Sequence, residues 1–344
     1  MMRQTTLKDV ARLANVSIST ISRVVNGGDS TAASKEVQNR IWEVVKQTNY
    51  IPNRSAQQLK HATDERTHPR MVACICSRSA NVQTDPFFSE ISRAIETELN
   101  RLGYIMKLSL SSEDSSCERL NQMLSYEQLE GVIVLGKIAS RHIRTLQKYC
   151  KHIVYTGVNR LNETIDQVIC DGYEASWQVL QYFVVLGLHD IYYVGETQCE
   201  VRYRAYKEFM ESRGHLMDLR QKVIECPFDS QQAYEGTRQM LQTGKRPEAI
   251  FCGNDVTALG VIKALREQGL DVPSDVSVIG IDDIEMAQFS SPMLSTVQVP
   301  RQQLGKVSAK LLVDRIEHGQ DLPMTVILPS HLILRESCVR TAQK

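Results

Sequence analysis

From Met71 onward the chain alternates between short apolar runs and amphipathic stretches, and this alternation limits its fold more than any other feature. The runs are MVACIC, YIMKLSL, GVIVLG, HIVYTG, DQVICD, DIYYVG, KVIEC, EAIFCG and DVSVIGI. They are short, rich in Val and Ile, and often apolar at consecutive positions, the pattern of parallel strands covered on both faces. The stretches between them read as helices. In Phe87 to Leu102, Ile91, Ile95 and Leu99 fall on one face and Gly103 stops the helix. The alternation predicts an α/β fold with parallel sheets. Roughly 270 residues exceed what one sheet needs, so two similar subdomains are expected, with a ligand crevice at the carboxyl ends of the strands.

The first 60 residues are different. Thr6 to Asn26, TLKDVARLANVSISTISRVVN, reads as two short helices joined by a tight turn at Asn15-Val16. Val10, Ala11 and Ala14 face Ile21, Val24 and Val25 across a shared apolar seam. Thr6 can cap the first helix and Ser17 the second. The second helix is polar outside, with Ser17, Ser19, Thr20, Ser22, Arg23 and Asn26. Such side chains suit the major groove, where they meet phosphates and base edges. A plain helical hairpin at the edge of a larger fold is the alternative. Gly27-Gly28-Asp29-Ser30 breaks the second helix, and a third begins at Ser34 with an apolar stripe of Val37, Ile41, Val44 and Val45. After Asn49-Tyr50-Ile51-Pro52 comes a short segment, 53–60, with too little apolar surface to be stable alone. Residues 61–70 are polar and read as a linker.

Charge follows the same division. Residues 1–60 carry nine Lys or Arg against four acids, a net of +5, which the remaining residues cancel in a chain of 40 basic and 40 acidic groups. A basic head on an acidic body fits a head that touches a polyanion. The nine cysteines are scattered. No apolar signal segment and no membrane span is evident, so a reducing, cytoplasmic setting is expected. Cys74-x-Cys76 places two thiols on one strand face. A metal site would need further ligands near them, and none is expected.

Taken together, TLKDVARLANVSISTISRVVN and the later NYIPNRSAQQL resemble the DNA-binding head and hinge of the lactose-repressor (LacI/GalR) family of bacterial transcription regulators. The resemblance implies that Ile18 and Ser19 read bases, with Ser22, Arg23 and Asn26 in support. It also implies that Ser17 and Asn53 contact backbone, and Thr6 and Thr20 are counted with the DNA-facing residues. Segment 53–60 would be a hinge helix that folds on DNA beside its twin. Leu59 would wedge into the minor groove with Ala56 and Gln57 alongside it, although packing is the ordinary role of a leucine. This chain has Val37-Gln38 where the family often has Thr-Arg.

In the body, Asp85-Pro86-Phe87-Phe88, Arg204, Phe228, Asn254-Asp255 and Asp282-Asp283 all follow strand-like runs, where the crevice would be. Carboxylates, an amide and an arginine around flat rings suit a sugar, whose hydroxyls pair with polar groups and whose C–H faces stack on aromatics. Ordinary roles compete: Asp255 can cap Val256–Glu267, Asp283 can hold its loop, and Arg204 can make a surface salt bridge. NDVTALG, VIGIDD and SPMLSTV also resemble the family's effector core, itself similar to periplasmic sugar-binding proteins. The resemblance implies effector contacts from Arg204, Asn254 and Asp282, stacking by Phe88 and Phe228, and a further contact from Asn159. DPFF and CPF point towards the galactoside-linked branch.

The expected organisation is therefore an all-α helix-turn-helix head (1–60), the linker 61–70, and a two-subdomain α/β core resembling periplasmic binding proteins (71–344). The core divides into about 71–171 with 298–326, and about 172–297 with 327–344. The expected protein is a homodimeric, sequence-specific regulator of carbohydrate-utilisation genes, binding a palindromic operator and controlled by a small carbohydrate. No cofactor, metal or membrane is implied. GxxxxGK[ST], GxGxxG after a first strand, HExxH and GxSxG are absent, which leaves a sugar-active enzyme as the rival class. A phosphocarrier protein or a non-sugar effector is the alternative input. The tail after Leu334 lacks the leucine heptads of a tetramer-forming coil.

Overall fold

The structure, a computed structural model, describes residues 7–25, 33–48, 70–76, 85–111, 129–214, 219–319 and 322–338. The chain forms two units, divided at 68/69, each with its own core.

Among the described residues the first unit holds three helices, α1 (Leu7–Leu13), α2 (Ile18–Val25) and α3 (Lys35–Thr48). Val10, Ala11, Ala14, Ile21 and Ile41 are buried together, with Val16, Val24, Val37 and Val44 packed against them. The α1–α2 turn is made at Asn15, whose φ of 51° is left-handed, a conformation asparagine tolerates better than most residues. Ser17 caps α2 by accepting from the Thr20 N–H at 3.1 Å. The Arg40 guanidinium donates to the Ala14 carbonyl at 3.0 Å and so ties α3 to the end of α1.

The second unit contains two six-stranded sheets. Among the described residues its strands, and its helices longer than four residues, are in order β1 (Arg70–Cys76), α4 (Pro86–Arg101), β2 (Tyr104–Ser111), β3 (Gly131–Leu135), α5 (Ser140–Tyr149), β4 (His152–Gly157), β5 (Asp166–Cys170), α6 (Gly172–Val185), β6 (Ile191–Gly195), α7 (Val201–Ser212), β7 (Val223–Glu225), α8 (Ser230–Gln242), β8 (Ala249–Cys252), α9 (Asp255–Glu267), β9 (Ser277–Asp282), β10 (Ser295–Gln298), α10 (Arg301–His318), β11 (Thr325–Leu328) and β12 (His331–Ile333). The first sheet has the order β11-β5-β4-β3-β1-β2 and the second β12-β10-β9-β8-β6-β7. All pairs are parallel except β10 with β12. The nine apolar runs of the sequence supply β1 to β9.

The chain passes between the sheets after β5, between β10 and α10, and between β11 and β12. A division at 326/327 would cut β11, which pairs with β5 from Thr325 to Leu328, so the last passage falls beyond Leu328. α10 crosses α4 closely. A methyl group at Gly305 would stand 2.6 Å from the Ile91 carbonyl oxygen, closer than carbon and oxygen can approach.

A buried ion pair closes the first sheet. Arg315 of α10 donates from Nε and Nη2 to the two oxygens of Asp166, at 2.8 and 2.7 Å. The Met324 N–H donates to the same carboxylate, which ties β11 to β5. Removing one partner leaves a buried charge without a counter-charge. Asp166→Ala is therefore expected to cost on the order of 3–5 kcal/mol in unfolding free energy, read as a lower urea midpoint.

The eight described cysteines are free thiols, seven of them buried. Burial pushes the Cys74 thiol up to about 12, with neighbouring Cys76 adding to the rise. Among the described residues no cluster of His, Cys, Asp and Glu could hold a metal, and no helix is long and apolar enough to cross a membrane.

Candidate functional site

Two sites emerge, one in each unit. In the first, the α2 amino-terminus presents Ser17, Ile18 and Ser19, all exposed, with Thr20 half-buried beside them. Ile18 is 42% exposed, unusual for a large apolar side chain in so small a unit. The Ser17 hydroxyl lies 2.7 Å from Ser19 Oγ and 2.8 Å from Thr20 Oγ1. These short hydroxyls are held in one network at the start of α2. The backbone of Ser22 and Arg23 continues α2, but their side chains lie outside the described residues, as do Thr6, Asn26 and the whole segment 53–60 with Asn53, Ala56, Gln57 and Leu59.

The second site is a cleft of about 300 Å³ in the core. It is lined from the carboxyl ends of strands in both sheets, as doubly wound folds require. Asp85 and Phe88 follow β1, Lys137 follows β3, and Asn159 follows β4, while Glu196, Phe228, Asn254 and Asp282 come from the second sheet. Five of the six expected effector residues line it: Phe88, Asn159, Phe228, Asn254 and Asp282.

Arg204 does not. It sits on the outer face of α7 with its side chain 60% exposed, 3.8 Å from Glu208 and over the Tyr173 ring. The arginine of the cleft is Arg202, which is 2% exposed. Arg202 donates from Nε to Glu200 at 2.6 Å and from Nη1 to the Gly253 carbonyl at 2.8 Å. Its guanidinium carbon stands 4.2 Å from the Phe228 ring centroid, a cation–π contact that fixes the aromatic wall. Burial works against its charge, but Glu200 more than compensates and holds its pKa above the usual arginine value.

The expected cap of α9 is also displaced by one residue. Asn254, not Asp255, caps the helix, its Oδ1 accepting from the Thr257 N–H at 2.9 Å. Asp255 points inward instead, fully buried, and accepts from the Ile284 N–H at 2.9 Å and from the Thr296 hydroxyl at 2.5 Å. Asp283 does hold its loop: it accepts from Arg335 at 2.6 Å and from Gln298 at 2.9 Å. Its carbonyl accepts from Arg301 at 2.7 Å, and Arg301 also reaches Glu90 of α4 at 2.9 Å. This chain of contacts joins the two subdomains next to Asp282.

Asp282 ends β9 with a φ of 131°, a strained region for a side chain other than glycine and one often found at ligand sites. Burial raises its pKa well above the usual value; Asp255 adds to the rise and Arg202 opposes it. Burial likewise pushes Asp255 up to about 7, against the hydrogen bonds from Thr296 and Ile284. The unfolded carboxyl ionises near the ordinary aspartate value of 3.8. Between these values the folded state binds more protons than the unfolded state. This group therefore lowers stability as pH rises through that window and adds no further loss above it. Asp255→Asn is expected to lose less stability than the parent as pH rises from about 4.5 to about 7.5 in paired denaturant titrations.

The phenylalanine corner is set by Asp85, which caps α4 by accepting from the Phe87 and Phe88 N–H groups at 2.9 and 3.1 Å. Phe87 and Phe88 pack edge to face at 5.1 Å. Two polar atoms of the cleft wall have no partner despite burial, Asn159 Oδ1 and Arg202 Nη2. One accepts and one donates. Sequence reasoning set Arg202 aside in favour of its near neighbour Arg204, and it missed Lys137 and Glu196 as lining residues. For Arg202 a signal existed: positions 202, 205, 206, 209 and 210 form one helical stripe, all buried, and position 204 lies off it.

A helix-turn-helix unit and a two-lobed core with a cleft in one chain make up a regulator with a ligand-binding core. Comparison with known proteins specifies the class. Residues 6–53 match the family model "Bacterial regulatory proteins, lacI family", and residues 180–338 match "Periplasmic binding protein-like domain". The chain is 30% identical to the HTH-type transcriptional repressor PurR of Actinobacillus pleuropneumoniae over 98% of this chain and 99% of that protein. It superposes on the regulator CelR in complex with cellobiose with a TM-score of 0.70, at 26% identity, over 97% of this chain and 100% of that one. It shares its fold with the lac repressor dimer bound to operator and the anti-inducer ONPF, at a TM-score of 0.71 and 24% identity, over 98% of this chain and 100% of that one. The chain belongs to the lacI family of bacterial regulatory proteins and is a transcriptional repressor with a ligand-binding core, not an enzyme.

Proposed function

We propose that this protein is a cytoplasmic, homodimeric repressor of carbohydrate-utilisation genes, released from a palindromic operator by a small neutral sugar, a galactoside among the candidates. The observation that carries the sugar reading is the pair of buried, unpartnered atoms on the cleft wall. Asn159 Oδ1 can accept a hydrogen bond and Arg202 Nη2 can donate one, and the hydroxyls of a polyol can do either. Leaving both unmet costs free energy that a polyol recovers on binding. Phe88 and Phe228 supply aromatic surface for the C–H faces. Arg202 is already paired with Glu200, and Lys137 stands near Glu196 with Asp85 also on the lining, so the cleft does not favour an anion. The CelR complex, with cellobiose, supports the same reading.

The DNA reading rests on the α2 amino-terminus, where Ile18 can meet a thymine methyl and Ser17 and Ser19 can meet phosphate or base edges. Twofold pairing of the chain would present two such helices to two half-sites, as in the lac repressor dimer on its operator. Asn53, Ala56, Gln57 and Leu59 are proposed as the hinge contacts, and Thr6, Thr20, Ser22, Arg23 and Asn26 as supporting groups on the head. The test is a gel shift of the full chain on the DNA upstream of its own gene, with and without a panel of sugars. Retardation that one sugar reverses is expected. Retardation unaffected by every sugar would contradict the proposed effector class.

A further inference from the structure

The outer face of α5 carries charge of one sign. Residues 131–162 include Lys137, Arg141, Arg144, Lys148, Lys151 and Arg160 and no Asp or Glu, although the body as a whole is acidic. α5 buries Ile143 and Leu146 against the first sheet. Positions 141, 144 and 148 recur three and then four residues apart, so their side chains share the opposite face. All three are exposed, as is Lys151 just beyond the helix.

Other helices of the core balance such charges. Arg101 of α4 pairs with Glu98, and Arg204 and Lys207 of α7 pair with Glu208 and Glu211. α5 contains no acid. Among the described residues, Arg141, Arg144, Lys148 and Lys151 form no ion pair. Arg144 instead has a like charge one turn away on either side, which weakens a helix. Solubility alone is served as well by mixed signs. Carboxylates supplied from outside would turn this repulsion into attraction.

The same side of the sheet also exposes apolar surface. Ile327 of β11 is in register with Ile169 of β5, and paired residues of neighbouring strands share a face. Ile169 is buried in one cluster with Ile143 and Leu146 of α5. Ile327 therefore lies on the α5 side of the first sheet, where it is 53% exposed, and Tyr149 at the end of α5 is 40% exposed. A duplex backbone would satisfy the cations but would set phosphates against Ile327 and Tyr149. A protein surface answers both kinds of group, and arginine and tyrosine are residue types that protein interfaces favour.

We infer that the α5 side of the first sheet is a docking surface for an acidic protein. Its carboxylates would meet Arg141, Arg144 and Lys148, and its apolar side chains would meet Tyr149 and Ile327. None of these five residues lines the cleft, so the inference stands apart from the sugar reading.

The test places a photoreactive group at Gln147, which is exposed between Arg144 and Lys148, and at exposed Gln239 of α8 as a control. The group is activated in cells that express the full chain from its own gene. One acidic protein is expected to be joined at position 147 and not at 239. Once purified, that protein is titrated against the parent and two triple variants. Arg141→Gln, Arg144→Gln and Lys148→Gln together are expected to weaken it about fivefold, and glutamate at the same three positions about fiftyfold. Raising salt from about 50 to about 500 mM should weaken parent binding about tenfold or more. Thermal melts and operator affinity of the variants should match the parent. The glutamine variant keeps good helix formers, so it carries the test if the reversed one does not fold. A protein joined at neither position, or equally at both, would overturn the inference. So would a partner without acidic charge, a partner that binds the folded variants as tightly as the parent, or adducts to DNA in place of protein.

Discussion

In Arg202→Lys the cleft ligand is expected to bind roughly 10- to 150-fold more weakly, the equivalent of one charge-assisted hydrogen bond. Lysine keeps the charge beside Glu200, so the buried carboxylate is not abandoned and the fold is retained. What it cannot supply is the planar fork that serves Glu200, Gly253 and the cleft together. It also loses the flat face set over Phe228. Arg204→Ala is the matched control. That side chain is solvent-exposed and pairs only loosely with Glu208, so ligand affinity is expected to stay within twofold. Calorimetry on the two variants and the parent separates the positions. An Arg204 effect as large as the Arg202 effect would refute the assignment of the cleft.

The second large effect lies in the head. Replacing Ile18 and Ser19 together with alanine is expected to weaken operator binding by about 1–3 kcal/mol for each base that is no longer read. Binding to unrelated DNA should hardly change, because phosphate contacts carry it. Both side chains are exposed, and the buried seam of Val10, Ala14 and Ile21 does not use them. The head should therefore melt as before, and the cleft should bind its ligand as before. Fluorescence anisotropy with specific and scrambled duplexes reads the ratio. An equal weakening on both duplexes would mean that these residues do not read sequence.

The fold was legible where burial is strong. Nine apolar runs became nine strands because a parallel strand covered on two faces has few choices beyond Val, Ile and Leu. β10 to β12 were harder. They are short, half-polar or at sheet edges, as in HLI at 331–333 and TVIL at 325–328, and this is why the pattern puts the last subdomain boundary a few residues early. The site was legible as a set of strand ends but not atom by atom. Arg202 and Arg204 differ only in which face of α7 they occupy, and motif position decided wrongly where the buried stripe would have decided correctly. Asn254 and Asp255 can both cap a helix. The structure gives the cap to Asn254 because Asp255 lies on the inward stripe with Ala258, Ile262 and Leu265. Lys137 and Glu196 gave no sequence signal, since a charged residue in a loop is ordinarily solvated and only the tertiary fold brings these two to one mouth.

The proposed release of repression by a ligand depends on a coupling: the occupied cleft must change how the head holds DNA. Arg301, joining Glu90 of α4 to the carbonyl beside Asp282, offers a path for it within the core. The most direct measurement is the operator dissociation constant of the parent and of Asp282→Asn, each without sugar and at a sugar concentration that calorimetry shows to saturate the parent cleft. Coupling predicts equal operator affinity for both proteins without sugar, a shift of at least tenfold in the parent with sugar, and no shift in Asp282→Asn. A saturated parent cleft that leaves the operator constant unchanged would contradict it.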